Sequence, residues 1–362
     1  MIRQKTGGFS VFILIVAAGW LMGYSLFMTD RVMETVRSSL HMFAHTVLPS
    51  LVLFSFCSKL IVKLGVMKKM SFLPFSGFLN TVGMSMGGFI TFLIGCFSGF
   101  PMGASMLSEL CERGEISRQE AESLLPFCNQ AGISFLFGTV GGIILNDASA
   151  GIVFFLAQTV TAWLCICLTV HERYGSISEG APSGSMGSSW VAAVTASVRE
   201  SAFSMIGVCG FVIFFSLVGT AFFDTLLAIG FPFGNFFRSV VGGLLEISCG
   251  FIILSESGFS QEMMLILSGV FLGFGGCSVF LQAVEKTEAF FFSPQKYFKG
   301  KLLSGLICPV FTVLFFSLYK KQYGKILIIV SFLILFCFFY FLNYVKIKFF
   351  SKKCGKMKRN AV

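Results

Sequence analysis

Apolar residues in this chain run in blocks of about 17–25 positions, separated by short polar breaks. A block of that length crosses a bilayer core as a helix. The blocks lack the period-2 alternation of a membrane β-barrel, and a backbone in lipid must satisfy its own N–H and C=O groups, so helices are predicted throughout. The blocks fall at 9–28, 42–62, 86–108, 126–145, 150–170, 201–223, 236–254, 263–291, 302–318 and 326–345. The fold class this predicts is all-α, a polytopic membrane bundle of about ten spans. Segment 71–85 carries Pro74, Gly77 and Gly83 and is apolar but short, so it reads as a re-entrant or interfacial helix. Ser117 and Glu120 form an S-x-x-E box ahead of Ala121, Leu124 and Leu125, which predicts a short surface helix or a strut joining two spans.

Residues 172–190 are rich in Gly and Ser and read as a flexible linker between two halves. The halves echo each other. VLPSLVLFSFCSKLI at 47–61 can be laid on VCGFVIFFSLVGTAF at 208–222. FSGFPMG at 97–103 is followed by FCNQAG at 127–132, and GGLLEISCG at 242–250 by GFGGCSV at 273–279. Pro101 and Asn129 are 28 positions apart, Glu246 and Gly275 29. The organisation expected is an anchor helix at 1–34, a first repeat at 35–171, the linker, a second repeat at 191–300, membrane helices at 301–345 and a basic tail at 346–362. Repeats with discontinuous helices are a transporter plan whose binding site lies where the breaks meet. Ten spans would run the two halves in the same direction. An inverted repeat needs one crossing more or fewer, and 71–85 is where it would be found.

Composition agrees with the membrane reading: 55% of residues are hydrophobic and 12% charged, with a mean hydropathy of +0.85. A soluble domain carries about 25% charged residues. The net charge of +10 gathers at Arg3 and Lys5, at Lys63, Lys68 and Lys69, at Lys296, Lys299 and Lys301, and in the tail. Basic loops face the cytoplasm, which places the N-terminus, 63–69, 292–301 and the tail inside and leaves only Lys320 and Lys321 on the wrong side. The tail is read as an anchor on anionic lipid, with no nucleic acid as partner. The apolar run from Phe9 to Phe27 has no clear cleavage site after it and reads as a retained anchor. Twelve scattered cysteines show no metal-ligand or disulfide spacing, and no cofactor is expected. His41, His45 and His171 sit at span ends, and no nucleophile–base pair stands out, so the chain is not read as an enzyme.

Four constellations could carry chemistry. In Ser98-Gly99-Phe100-Pro101-Met102-Gly103, proline removes a donor and glycine permits positive φ, so a helix should break there. The freed N–H groups could hold an anion, and a kink for close helix packing explains the same residues equally well. Asn129 and Gln130 open an apolar run, where each caps a half-helix, hydrogen-bonds across helices or contacts a substrate. Glu246 is the acid near the middle of a span. It either couples transport or gates it, clamps the N–H groups of a broken helix, or does both. Gly273, Gly275 and Gly276 permit an unwound segment, and Ser278 and Gln282 share one helix face beyond it. A nucleotide loop would need a following Lys or a strand–helix context, and neither is present.

Taken together, FSGFPMGASMLSEL, GEISRQEAESLLPFCNQAG, FGTVGG, GGLLEISCG and GFGGCSVFLQ resemble the sporulation integral membrane protein family typified by YlbJ, over about residues 35–310. That family belongs with proteins carrying nucleoside-recognition gate domains, related to concentrative nucleoside transporters. The resemblance implies two gate-like repeats and a multi-pass protein of a mother-cell-derived, outer forespore membrane. It implies a permease that moves dipicolinic acid or a similar small organic anion during spore formation. A nucleoside or heterocycle carrier, or a non-transporting sporulation scaffold, are the alternatives. Other sporulation membrane proteins and a second copy of the chain are the protein partners left open. The signature positions carried over are Ser98, Gly99, Pro101, Gly103, Asn129, Glu246, Gly275, Gly276 and Gln282, to which Gln130 and Ser278 are added from the reading above. The chain departs from the family where members often have Tyr at Phe100 and Asn-Ser at Gln130-Ala131, which points either to an altered substrate preference or to a divergent paralogue with no role in spores.

Overall fold

The computed structural model describes residues 8–64, 79, 82–170, 190–287 and 292–321, and every regular element among them is helical. His171, the linker up to 189, most of segment 71–85, the last expected span at 326–345 and the basic tail lie outside the described residues.

The chain starts with α1 (Gly8–Phe27) and α2 (Thr29–Met42). The two are bent by 102° at the polar step after Phe27, where an apolar helix gives way to an amphipathic one. A π-helical turn, Phe43–Val47, leads into α3 (Leu48–Lys63). Next come α4 (Met86–Ser98), α5 (Met102–Glu112), α6 (Arg118–Cys128) and α7 (133–145, π-helical over Leu136–Gly141), followed by α8 (Gly151–Thr169). The rest is α9 (Trp190–Ala228), α10 (Asn235–Leu245), α11 (Ile247–Ser255), α12 (Gln261–Phe274), α13 (Gly276–Lys286) and α14 (Pro294–Tyr319).

Five stretches among the described residues are long and apolar enough to cross a membrane: Arg118–Leu145, Ala148–Thr169, Trp190–Ala228, Gln261–Lys286 and Pro294–Tyr319. The bent pair α1–α2 raises this to six if it forms one span. The chain is therefore an all-α polytopic membrane bundle.

Two of the expected spans, 86–108 and 236–254, do not cross. Each folds back on itself as a helical hairpin. In α10–α11, Gly243 lies directly against Gly250, Gly242 lies against Ile253, and Asn235 Nδ2 donates to the Ser257 carbonyl at 3.0 Å. Each pairing joins a residue before Glu246 to one after it, which is antiparallel geometry. In α4–α5, Gly95 and Gly103 both abut the Cys128 carbonyl, and Gly87 lies against Leu110. An arm of 9–13 residues is about 14–20 Å long, too short for a core of about 30 Å. The turn residues make the reversal: Gly99 has φ +85°, a region open to glycine, and Glu246 is extended.

Charged and polar pairs mark the two ends of the bundle. At one end Lys63 and Lys59 meet Glu200 at 2.9 and 3.7 Å, Arg113 meets Glu109 at 2.6 Å, and Lys296 meets Glu122 at 2.7 Å. At the other, Arg31 meets Asp224 at 3.4 Å, the Tyr24 and Tyr319 hydroxyls donate to Asp224 and Asp147, each at 2.6 Å, and Lys320 meets Gln261 at 2.8 Å. Hairpin α4–α5 has its open ends at the first level, where the Ser85 N–H donates to Glu120 and Arg113 to the Val62 carbonyl. Hairpin α10–α11 opens at the second.

The S-x-x-E box is half realised. The Glu120 N–H donates to Ser117 Oγ at 3.1 Å, as a cap should. The Glu120 carboxylate does not return to the Ser117 N–H but accepts from the Ser85 N–H at 2.7 Å, and the helix is largely buried, not the surface helix expected as one of the two readings. Helix α14 packs on α12, α8 and α6 through small residues. Gly273 sits against Ser304 and Gly305, Gly269 against Pro309, and Gly300 against Pro126.

Candidate binding site at the helix breaks

All four segments singled out from the sequence are interruptions, and they meet in pairs. The tip of hairpin α4–α5 touches the break between α6 and α7: a Cβ on Gly99 would come 2.6 Å from the Gly132 nitrogen, and one on Gly132 would come 2.8 Å from the Ser98 oxygen. The tip of hairpin α10–α11 touches the break between α12 and α13, where a Cβ on Gly276 would stand 3.2–3.5 Å from the carbonyls of Gly243, Leu244 and Leu245. Gly275 and Gly276 have φ of +86° and +84°, two consecutive left-handed residues, which only glycines adopt without strain.

Between the two pairs lies a small cavity of about 30 Å³, room for about one water. Phe100, Gly132 and Phe135 line it from the first half, and Glu246, Ser248 and Gln282 from the second. Val47 and Leu51 on one side and Val208 and Val212 of α9 on the other close it. Of the expected site residues, the structure brings Glu246 and Gln282 to this cavity. The others build the breaks around it. Ser98, at the end of α4, is in hydrogen-bonding contact with Ser58 Oγ at 3.2 Å; Pro101 starts α5; Gly103 seats α5 on α6. Gln130 Nε2 donates to the Phe127 carbonyl at 2.6 Å, and Ser278 Oγ accepts from Gln282 Nε2 at 3.1 Å.

Glu246 is 3% exposed and caps α11, its Oε2 accepting the Cys249 N–H at 2.8 Å. A carboxylate there faces the positive end of a half-helix. Asn129 is fully buried; neither its side-chain oxygen nor its nitrogen has a hydrogen-bond partner among the described residues, and the same holds for Gln282 Oε1. Unpaired amide atoms in an apolar interior cost free energy; Gln282 belongs to the cavity lining, whereas Asn129 does not.

Sequence reasoning missed two residues of this region. Lys301 was counted with the basic loop 292–301, yet it lies inside α14 and is 2% exposed. Its Nζ donates to the Asn129 carbonyl at 2.6 Å and lies 3.7 Å from where a Gly275 Cβ would be. Those residues end α6 and α12, so the ammonium sits at the negative ends of two half-helices. A signal was available: Tyr297, Lys301, Ser304 and Cys308 follow one helical face, and the other three carry no charge. Gln158 was also missed; it is buried and donates to the Ala131 carbonyl at 2.6 Å. Among the described residues no group of three His, Cys, Asp or Glu side chains is arranged to hold a metal ion.

No family model matches the chain, and no solved structure is similar to it. The sporulation integral membrane protein YlbJ of Bacillus subtilis (strain 168) is 28% identical to it over 328 residues, covering 80% of this chain and 78% of the relative. The similarity is spread over about four fifths of both sequences, and the apolar spans of this chain agree with its relative's description as an integral membrane protein.

Proposed function

We propose that this protein is a membrane permease that passes a small organic anion through the site at its four helix breaks. One observation carries the reading: two hairpins and two broken helices converge on one small cavity. Interrupted helices of this kind are tolerated in a membrane where they line a binding site. The two halves have the same element order, a hairpin, a broken span and an unbroken span, with the hairpins opening at opposite ends. We read this as a two-fold inverted repeat, whose hairpins account for the crossing that a count of ten spans could not place.

The anion follows from charge. The half-helices α5, α7, α11 and α13 start at the breaks, so four positive dipole ends point there, with the Lys301 ammonium behind them. Glu246 occupies one of those ends and would organise or couple the site. The YlbJ relative is described as a sporulation protein, and together with the motif resemblance this supports dipicolinic acid as the solute, moved during spore formation in an outer forespore membrane. A nucleoside or related heterocycle is the second reading, favoured by Phe100 and Phe135 beside Glu246 and Gln282, a flat apolar wall next to hydrogen-bonding groups. Purified protein in liposomes should take up dipicolinate faster than empty vesicles do. Uptake of nucleosides alone would select the second reading, and uptake of neither would refute the permease.

A further inference from the structure

Glu246 lines two separate cavities. One is the small cavity at the breaks; the other is a vestibule of about 290 Å³ between α2, α9 and hairpin α10–α11. Among the described residues it is the only one common to both. The vestibule is close to the size of a small-molecule site, which starts at about 300 Å³.

Two helices carry its lining inward. Helix α2 presents Arg31, Thr35, Ser38 and Met42, spaced on one face, and the same chain direction continues to Val47 and Leu51 at the inner cavity. Helix α9 runs the opposite way. Val208 and Val212 face the inner cavity; Ser216, Thr220 and Asp224, at four-residue steps, face the vestibule. From Val212 to Asp224 the helix rises about 18 Å, more than half of a bilayer core of about 30 Å. The lining thus runs from a charged outer end to the middle of the protein and is divided at the level of Glu246.

We infer that this vestibule is the aqueous access route for the solute and that the Glu246 side chain is the barrier between it and the inner site. The inference rests on the permease reading and assigns its path. The outer wall carries both signs, Glu34, Asp224 and Glu256 beside Arg31 and Arg238. Arg31 is held by Asp224 and Glu34 at 3.4 and 3.2 Å, whereas the exposed Arg238 guanidinium has no carboxylate paired with it among the described residues and is the group there that can meet an anion. The barrier is fixed by the bond from the Cys249 N–H, so passage requires the carboxyl to leave that cap or the hairpin to shift as a unit.

The test is labelling of the full chain in liposomes with a membrane-impermeant thiol reagent, read by mass spectrometry at an introduced cysteine. Thr220→Cys should react, and Val212→Cys, two turns deeper on the same helix, should react at least about tenfold more slowly. Adding Glu246→Ala to Val212→Cys should raise its rate about tenfold, because the side chain that divides the cavities is gone. Glu246→Gln keeps both the length and an acceptor for the Cys249 N–H, and should leave it slow. The route is overturned if Thr220→Cys is inert, if Val212→Cys reacts as fast as Thr220→Cys with Glu246 intact, or if Glu246→Ala brings no acceleration. Should Glu246→Ala fail to fold, the contrast between the Thr220 and Val212 positions decides alone. Labelling does not depend on transport. The expected pattern without solute uptake would therefore count against the permease reading only, and uptake without the pattern against the route only.

Discussion

Replacing Gly103 by alanine tests the seating of the first hairpin. Gly103 is the second residue of α5, and a Cβ there would run into the carbonyl oxygen and carbon of Cys128, the last helical residue of α6. The obstacle is backbone, so it cannot rotate aside as a flexible side chain would. Gly95 of α4 abuts the same oxygen, which blocks relief in that direction. Forcing packed backbones apart costs about 1–3 kcal/mol, and this overlap belongs at the upper end of that range. Alanine returns about 0.5–1 kcal/mol in a helix interior, which leaves a net loss of about 2 kcal/mol. Gly210, in the unbroken helix α9, is the matched control, because a Cβ there meets nothing within 4 Å. The assay is thermal unfolding of the purified protein in detergent, followed by intrinsic fluorescence. Gly103→Ala should lower the midpoint by several degrees, while Gly210→Ala should leave it unchanged or raise it slightly. A midpoint for Gly103→Ala at or above wild type would refute backbone-to-backbone contact between hairpin tip and broken span.

Lys301→Met keeps most of the side-chain volume and leaves the buried Asn129 carbonyl without its donor, a loss of about 1–3 kcal/mol that the removal of a buried ammonium offsets in part. The thermal midpoint should fall; an unchanged or higher midpoint would show that the ammonium costs more to bury than its bond returns. Outside the spans, Asp147 accepts from the Tyr319 hydroxyl at 2.6 Å and from Ser149, and these bonds hold its carboxyl below the usual aspartate value of 3.8. A carboxyl depressed on folding contributes stability that is complete above the unfolded value and is lost as pH falls through the lower folded one. Tyr319→Phe should therefore lower the midpoint at pH 7 and flatten its decline below about pH 4, measured by unfolding scans across that range. Parallel curves for the two proteins would contradict this.

The sequence by itself determined the environment and the weak points of the helices. Block length and scarcity of charge require membrane helices. The breaks at 98–103, 127–132, 242–248 and 273–278 were legible because glycine, proline and a lone polar residue act locally, through φ and missing donors. Tertiary structure decided what those breaks do. An apolar block of about 20 residues has the same composition whether it crosses the bilayer or folds in half. The hairpins exist because Gly243 meets Gly250 and because Gly95 and Gly103 meet Cys128, contacts that no window of sequence reveals. Lys301 looked like loop charge beside Lys296 and Lys299. Only the packing of α14 against α6 and α12 buries it, where two helix C-termini replace the water an ammonium would otherwise keep. Glu246 was legible as a buried acid, but its place between two cavities follows from how α2 and α9 lie against the second hairpin.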